Sequence, residues 1–159
     1  MQHTFNTLSE NVRAKSIELL NKHLAAAIDL HGQVKQAHWN VRGPTFIAIH
    51  ELFDKVADNV ESYSDTLAER AAALGGTAHG TVRIAAERSF LAPYTLGVAD
   101  EKEHILAVST SLTAFGQSAR LAIDEAAVSG DADTADLFTE VSRGIDHQLW
   151  IVESHLRPK

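Results

Sequence analysis

The chain has 159 residues, 45% of them hydrophobic, and a net charge of −7 from 14 Lys plus Arg against 21 Asp plus Glu. That length suits one domain, residues 1–159, with a full core. The composition argues against disorder, and the acidic balance speaks against a general nucleic-acid-binding surface, which needs clustered cations. With no cysteine, disulfide frameworks, zinc knuckles and thiol nucleophiles are excluded.

The N-terminal "MQHTFNTLSE" has no basic stretch followed by an apolar run, so no signal peptide is expected. No segment approaches the ~18 apolar residues of a membrane span. A cytoplasmic location, at most nucleoid-associated, is the expectation. The first helix is predicted to start after Thr7, with "TLSE" as a capping box of Thr7 and Glu10. Val12, Ile17, Leu20, Leu24, Ile28 and Val34 then recur at helical spacing to about Val41. After the Arg42-Gly43-Pro44 break, a second helix starts near Pro44 or Thr45 and ends at Gly75-Gly76. Residues 77–99 form a long connection with "TVRIAAERS" as a candidate short helix. A third long helix runs from the acidic cap Asp100 to Ser129. A fourth runs from Asp131 or Asp133 to near Leu156. No segment shows strand periodicity. The expected fold class is therefore all-α: a four-helix bundle with one long crossover between its second and third long helices, the ferritin-like topology.

The second long helix carries the chemistry. At about 100° per residue, His50, Asp54, Asp65 and Glu69 fall within a ~100° arc. Taken singly, each is most simply a solvated polar residue. Asp54 and Asp65, however, lie ~16 Å apart along the axis, so the two pairs of one chain cannot share a metal. The numbering is antisymmetric: 50 pairs with 69, and 54 with 65, about a point near Asn59 and Val60. Two copies of this helix packed antiparallel on a two-fold axis would bring His50 to Glu69 and Asp54 to Asp65. The result is two sites, each with one imidazole and three carboxylates, a set suited to iron or manganese. His38 offers a second imidazole across the short turn, although a helix-terminal histidine is also favoured by the macrodipole.

"KQAHWNVRGPTFIAIHELFD" followed by "DTLAERAAALGG" resembles the Dps family, the DNA-binding proteins from starved cells, within the ferritin-like superfamily. His38, His50, Asp54, Asp65 and Glu69 match the family pattern, and the resemblance spans essentially the whole chain. It implies a hollow homo-dodecamer with ferroxidase centres at two-fold interfaces, where His38, His50 and Asp54 of one subunit meet Asp65 and Glu69 of its partner. It implies Fe(II) oxidation to Fe(III), commonly with hydrogen peroxide, otherwise with oxygen, and storage of the ferric mineral inside. Glu69 would be a bridging or terminal carboxylate. Histidines ligate only when neutral, so activity is expected to fall in acid. Trp39 is either interface packing or, by analogy, a trap for stray oxidising equivalents.

Among the remaining groups, Asp131, Asp133 and Asp136 are candidate lining of a three-fold iron channel by the same resemblance, Asp136 matching best. Helix capping alone explains one of the other two. "EKEH" holds Glu101-x-x-His104, a di-iron spacing, but the helix dipole accounts for its acids. His3, His23, His31, His79, His147 and His155 are read as surface or core residues. DNA-binding relatives use a lysine-rich N-terminal tail, and this tail has no lysine. Binding of DNA is therefore doubtful, although Arg157 and Lys159 repeated over a shell would act multivalently. The alternatives are a shell that mainly binds or shields DNA, or another metal-dependent reaction on the same fold.

Overall fold

A computed structural model describes residues 1–156. It contains five helices and, among the described residues, no strand: α1 (Glu10–Asn40), α2 (Phe46–Ala73), α3 (Val82–Arg88), α4 (Glu101–Ser129) and α5 (Ala132–Glu153). The all-α bundle with a crossover carrying a short helix is as expected. Arg157 and Lys159 lie outside the described residues.

Helix ends follow local chemistry with one shift. α1 is capped by Ser9, whose side chain accepts from the Val12 N–H, so the Thr7–Glu10 box does not form. Arg13 explains the shift. Its Nε donates to the Leu8 carbonyl and a guanidinium nitrogen donates to the Leu74 carbonyl, which holds residue 8 outside the helix and against the end of α2. Asp100 caps α4 and Asp131 caps α5, accepting from the Lys102 and Thr134 N–H groups at 2.9 and 3.0 Å. Gly130 ends α4 at φ 90°, a left-handed turn that a side chain would resist.

α1 pairs with α2 and α4 with α5 as two helical hairpins. α1 also packs on α4, α2 on α5, and α3 on α1. Leu20, Leu30, Ile49, Phe53, Leu67, Leu112, Phe115, Phe138 and Ile145 fill the interior. Where α2 meets α5, a Cβ on Gly144 would strike the Tyr63 hydroxyl. The glycine is there for that close approach.

His23 is a core residue, fully buried. Its Nδ1 donates to the Leu19 carbonyl at 2.9 Å, Nε2 meets the Ser118 hydroxyl at 3.0 Å, and its ring lies edge-on to Phe138 with centroids 4.7 Å apart. Burial pushes the His23 pKa below 6.5, and burial does the same to His104. The unfolded chain therefore binds more protons than the folded one as pH drops below about 6.5, and stability falls. Denaturant midpoints are expected to decrease between pH ~7.5 and ~5.5, with a shallower decrease in His23→Leu. Equal slopes in the two proteins would remove His23 from this account.

Candidate metal centre

The last turn of α1 places His38, and the first turns of α2 place His50 and Asp54. The Arg42-Gly43-Pro44 turn folds the two helices together. It is fixed from outside by Glu101 at the start of α4. The Glu101 carboxylate accepts from the Thr45 N–H at 3.2 Å and the Thr45 hydroxyl at 2.9 Å, while the Arg42 N–H donates to the Ala99 carbonyl at 2.8 Å. Glu101 thus has a particular structural partner beyond the helix dipole.

The two imidazoles are locked reciprocally. His38 Nδ1 donates to the His50 carbonyl at 2.8 Å, and His50 Nδ1 donates to the His38 carbonyl at 2.9 Å. The rings stack with centroids 3.8 Å apart and planes 21° apart. A carbonyl can only accept, so each hydrogen is fixed on Nδ1, and in the neutral ring Nε2 is the nitrogen left to ligate. Ligating histidines are prepared in this way, with the second nitrogen oriented by a backbone acceptor. His38 Nε2 lies 3.7 Å from Asp54 Oδ1. That same oxygen accepts from Lys35 Nζ at 2.6 Å. The Lys35 hydrogen bond is the main cause holding the Asp54 carboxyl below its usual range, outweighing partial desolvation, with His38 adding to it. The ammonium stands where a metal cation would meet the carboxylate.

Asp65 and Glu69 are not part of this cluster. They stand exposed farther along the unbroken α2. Among the described residues of one chain, no three His, Asp or Glu side chains gather closely enough to hold a metal ion. Around the His–Asp cluster lies an unpaired apolar rim: Trp39 is 66% exposed, Ile47 62% and Phe46 38%, with Phe46 also packed 5.0 Å from the His50 ring. At the level of the expected two-fold axis, Val60 is buried in its own bundle while Asp58, Asn59 and Glu61 are exposed. Any partner helix would meet those residues. A cleft of about 700 Å³ lined by Lys15, Lys22, Arg88 and Glu125 lies elsewhere and includes none of these groups.

The acidic residues of the α4–α5 turn differ sharply. Asp131 is 1% exposed. It accepts from Ser16, from the Thr134 hydroxyl and N–H, and from Arg70 at 2.8 Å. Burial pushes its pKa up, but these donors outweigh burial and leave it lowered. Its surroundings are those of a structural cap. Asp133, with its side chain 85% exposed, and Asp136 stand at the surface. Glu101 and His104 do not form a metal pair: Glu101 holds Thr45, and His104 meets the Tyr94 hydroxyl at 2.6 Å. Lys35 and Glu101 were missed as site residues. Lys35 precedes His38 by three, one helical turn, which is the signal that points to it.

The ferritin-like domain family matches residues 17–158. The DNA protection during starvation protein of Agrobacterium fabrum is 39% identical over 156 residues, covering 98% of this chain and 96% of that protein. This chain belongs to the Dps family. Dps structures agree closely. DpsC from Streptomyces coelicolor superimposes with a TM-score of 0.93 at 32% identity, covering 100% of this chain and 94% of that one. Dps from Microbacterium arborescens, solved in a high iron form, gives 0.87 at 35% identity over 94% and 97% of the two chains. Among the described residues of this Dps chain, no helix is long and apolar enough to cross a membrane.

Proposed function

We propose that the protein is a ferroxidase and iron-storing mini-ferritin, a single-domain subunit of a cytoplasmic homo-dodecamer. Its substrates are Fe(II) and hydrogen peroxide, or otherwise oxygen, and ferric mineral is held in the shell. The observation that carries this reading is the locked imidazole pair beside Asp54, with both Nε2 atoms left to ligate and an apolar rim uncovered. It is half of a site on a surface shaped for a second copy. Across the two-fold axis, the partner's Asp65 and Glu69 would complete an oxygen-rich set that binds Fe(II) loosely and stabilises Fe(III). Consuming Fe(II) and peroxide together removes the reagents of hydroxyl-radical formation, a protective role in oxidative stress. Asp133 and Asp136 are the surface carboxylates that would draw cations to a three-fold channel. Anaerobic loading with Fe(II) followed by peroxide is expected to give a fast rise in ferric absorbance, and no rise would refute the reading.

Lys35 sets the affinity of the half-site. Iron must displace its ammonium from Asp54, so Lys35→Met is expected to tighten anaerobic Fe(II) binding by a few-fold, on the order of 5 at most, the worth of a half-exposed ion pair. Calorimetric titration measures this, and an unchanged or weaker affinity would count against competition at that oxygen.

Shielding of DNA is the second reading, supported by the names of the relatives. The residues ahead of the first helix offer DNA little charge. They include no lysine, and the Gln2 N–H bonds back to the Gly75 carbonyl at 2.8 Å. The expected result is no gel retardation of duplex DNA at physiological salt. Retardation that weakens steeply with added salt would overturn it.

A further inference from the structure

Behind the α1–α2 turn lies a pair that the ferroxidase reading does not use. Tyr94, at the end of the crossover, is half-buried, and its hydroxyl oxygen lies 2.6 Å from Nδ1 of His104. His104 is 1% exposed, and its Nε2 has no well-directed partner. The main-chain carbonyls of Asn40 and Val98 lie beside the imidazole. In the tautomer with its hydrogen on Nε2, the ring's acceptor is the nitrogen that Tyr94 engages. Nδ1 is thereby left as acceptor for the Tyr94 O–H. Asn40 is two residues beyond His38, ~3 Å along the same helix. The pair therefore abuts the turn that carries the imidazoles of the iron half-site.

We propose that Tyr94 is a one-electron donor to the iron site, with His104 as the base that receives its phenolic proton. The inference rests on the ferroxidase reading and gives that site a second source of electrons. Reduction of hydrogen peroxide to two waters consumes two electrons and two protons. A site holding two Fe(II) supplies both electrons. A site holding one supplies only one, and the half-reduced oxidant would leave as hydroxyl radical. In that half-filled state, Fe(II) gives one electron and becomes Fe(III). Tyr94 gives the other and becomes the neutral phenoxyl radical. Its proton passes to His104 Nδ1, forming imidazolium, and the two protons that complete the waters come from solvent.

Two features favour this chemistry. Burial pushes the Tyr94 pKa up to about 12, so the phenol stays protonated, and loss of an electron must be accompanied by loss of the proton. Burial lowers the His104 pKa, so the imidazole is neutral and able to take it. The only other tyrosine, Tyr63, packs its hydroxyl against Gly144 between α2 and α5 and has the Glu140 carboxylate, not an imidazole, in its neighbourhood.

The test uses the assembled protein, loaded anaerobically with one Fe(II) per site, mixed with peroxide and freeze-quenched for electron paramagnetic resonance. Ferric formation is followed in the same mixture. The expected result is a tyrosyl radical that survives Tyr63→Phe and is lost in Tyr94→Phe, with native mass confirming that each variant assembles. His104→Gln is expected to lower the radical yield, and it also serves if Tyr94→Phe fails to assemble. A signal that persists in Tyr94→Phe, or ferric formation without any tyrosyl signal in the unaltered protein, overturns the relay while leaving the ferroxidase reading intact. Absence of ferric product in the unaltered protein overturns both.

Discussion

Replacing His50 and Asp54 together by alanine is expected to slow ferric formation by on the order of 10²-fold or more. Loss of a partner that merely orients a ligand already costs about 10–100-fold, and this variant removes two of the proposed ligands outright. The effect should exceed the loss of one imidazole. The residue 50 carbonyl that accepts from His38 survives the substitution, but the ring stacked on His38 is lost, so the remaining histidine is held less closely. Asp65→Ala with Glu69→Ala should be equally damaging, although these residues stand outside the His–Asp cluster of their own chain. Stopped-flow absorbance after peroxide addition measures both. A double variant with undiminished rate would remove its pair from the site.

Asp131→Ala should instead damage the fold. It strips a buried carboxylate from Arg70, Ser16 and Thr134 and deletes the cap of α5. Arg70, its side chain 17% exposed, keeps its charge without that partner. Breaking one side of a buried ion pair costs roughly 3–5 kcal/mol, and at about 2–4 °C per kcal/mol for a chain of this size the melting temperature should drop visibly. Asp133→Ala, at a surface position, should stay within about 0.5 kcal/mol. If Asp131→Ala slows iron uptake while thermal stability is unchanged, the residue belongs to the channel after all. Because the carboxyl pKa is lowered in the folded chain, the stability it supplies is present above its unfolded pKa near 3.8 and is lost as pH falls through the folded one.

Much of this was legible in the chain because the informative features are periodic or local. Helix ends follow from Asp100, Gly130 and Asp131, whose preferences act over a turn or less. The antisymmetric spacing on α2 requires only a straight helix, and Phe46–Ala73 is unbroken. What escaped depends on contacts between distant segments. Ser9 and Thr7 are both good caps, and the choice between them is made by Arg13 reaching the Leu74 carbonyl. Asp131 in an acidic turn reads like its exposed neighbours until Ser16, 115 residues away, closes over it. Lys35 looks like an ordinary surface lysine until the turn brings Asp54 beneath it. Glu101 shows the converse: a spacing that suggests a metal pair is used to hold Thr45.

The central claim is that each iron site is built by two chains, and mixing tests it directly. One population carries His50→Ala with Asp54→Ala, the other Asp65→Ala with Glu69→Ala, and each alone is expected to be slow. Within a mixed two-fold pair, one site combines both defects and the other has neither. Random reassembly should therefore restore fast ferric formation at about a quarter of all sites. Mixed shells that remain as slow as their parents would contradict a site shared between subunits.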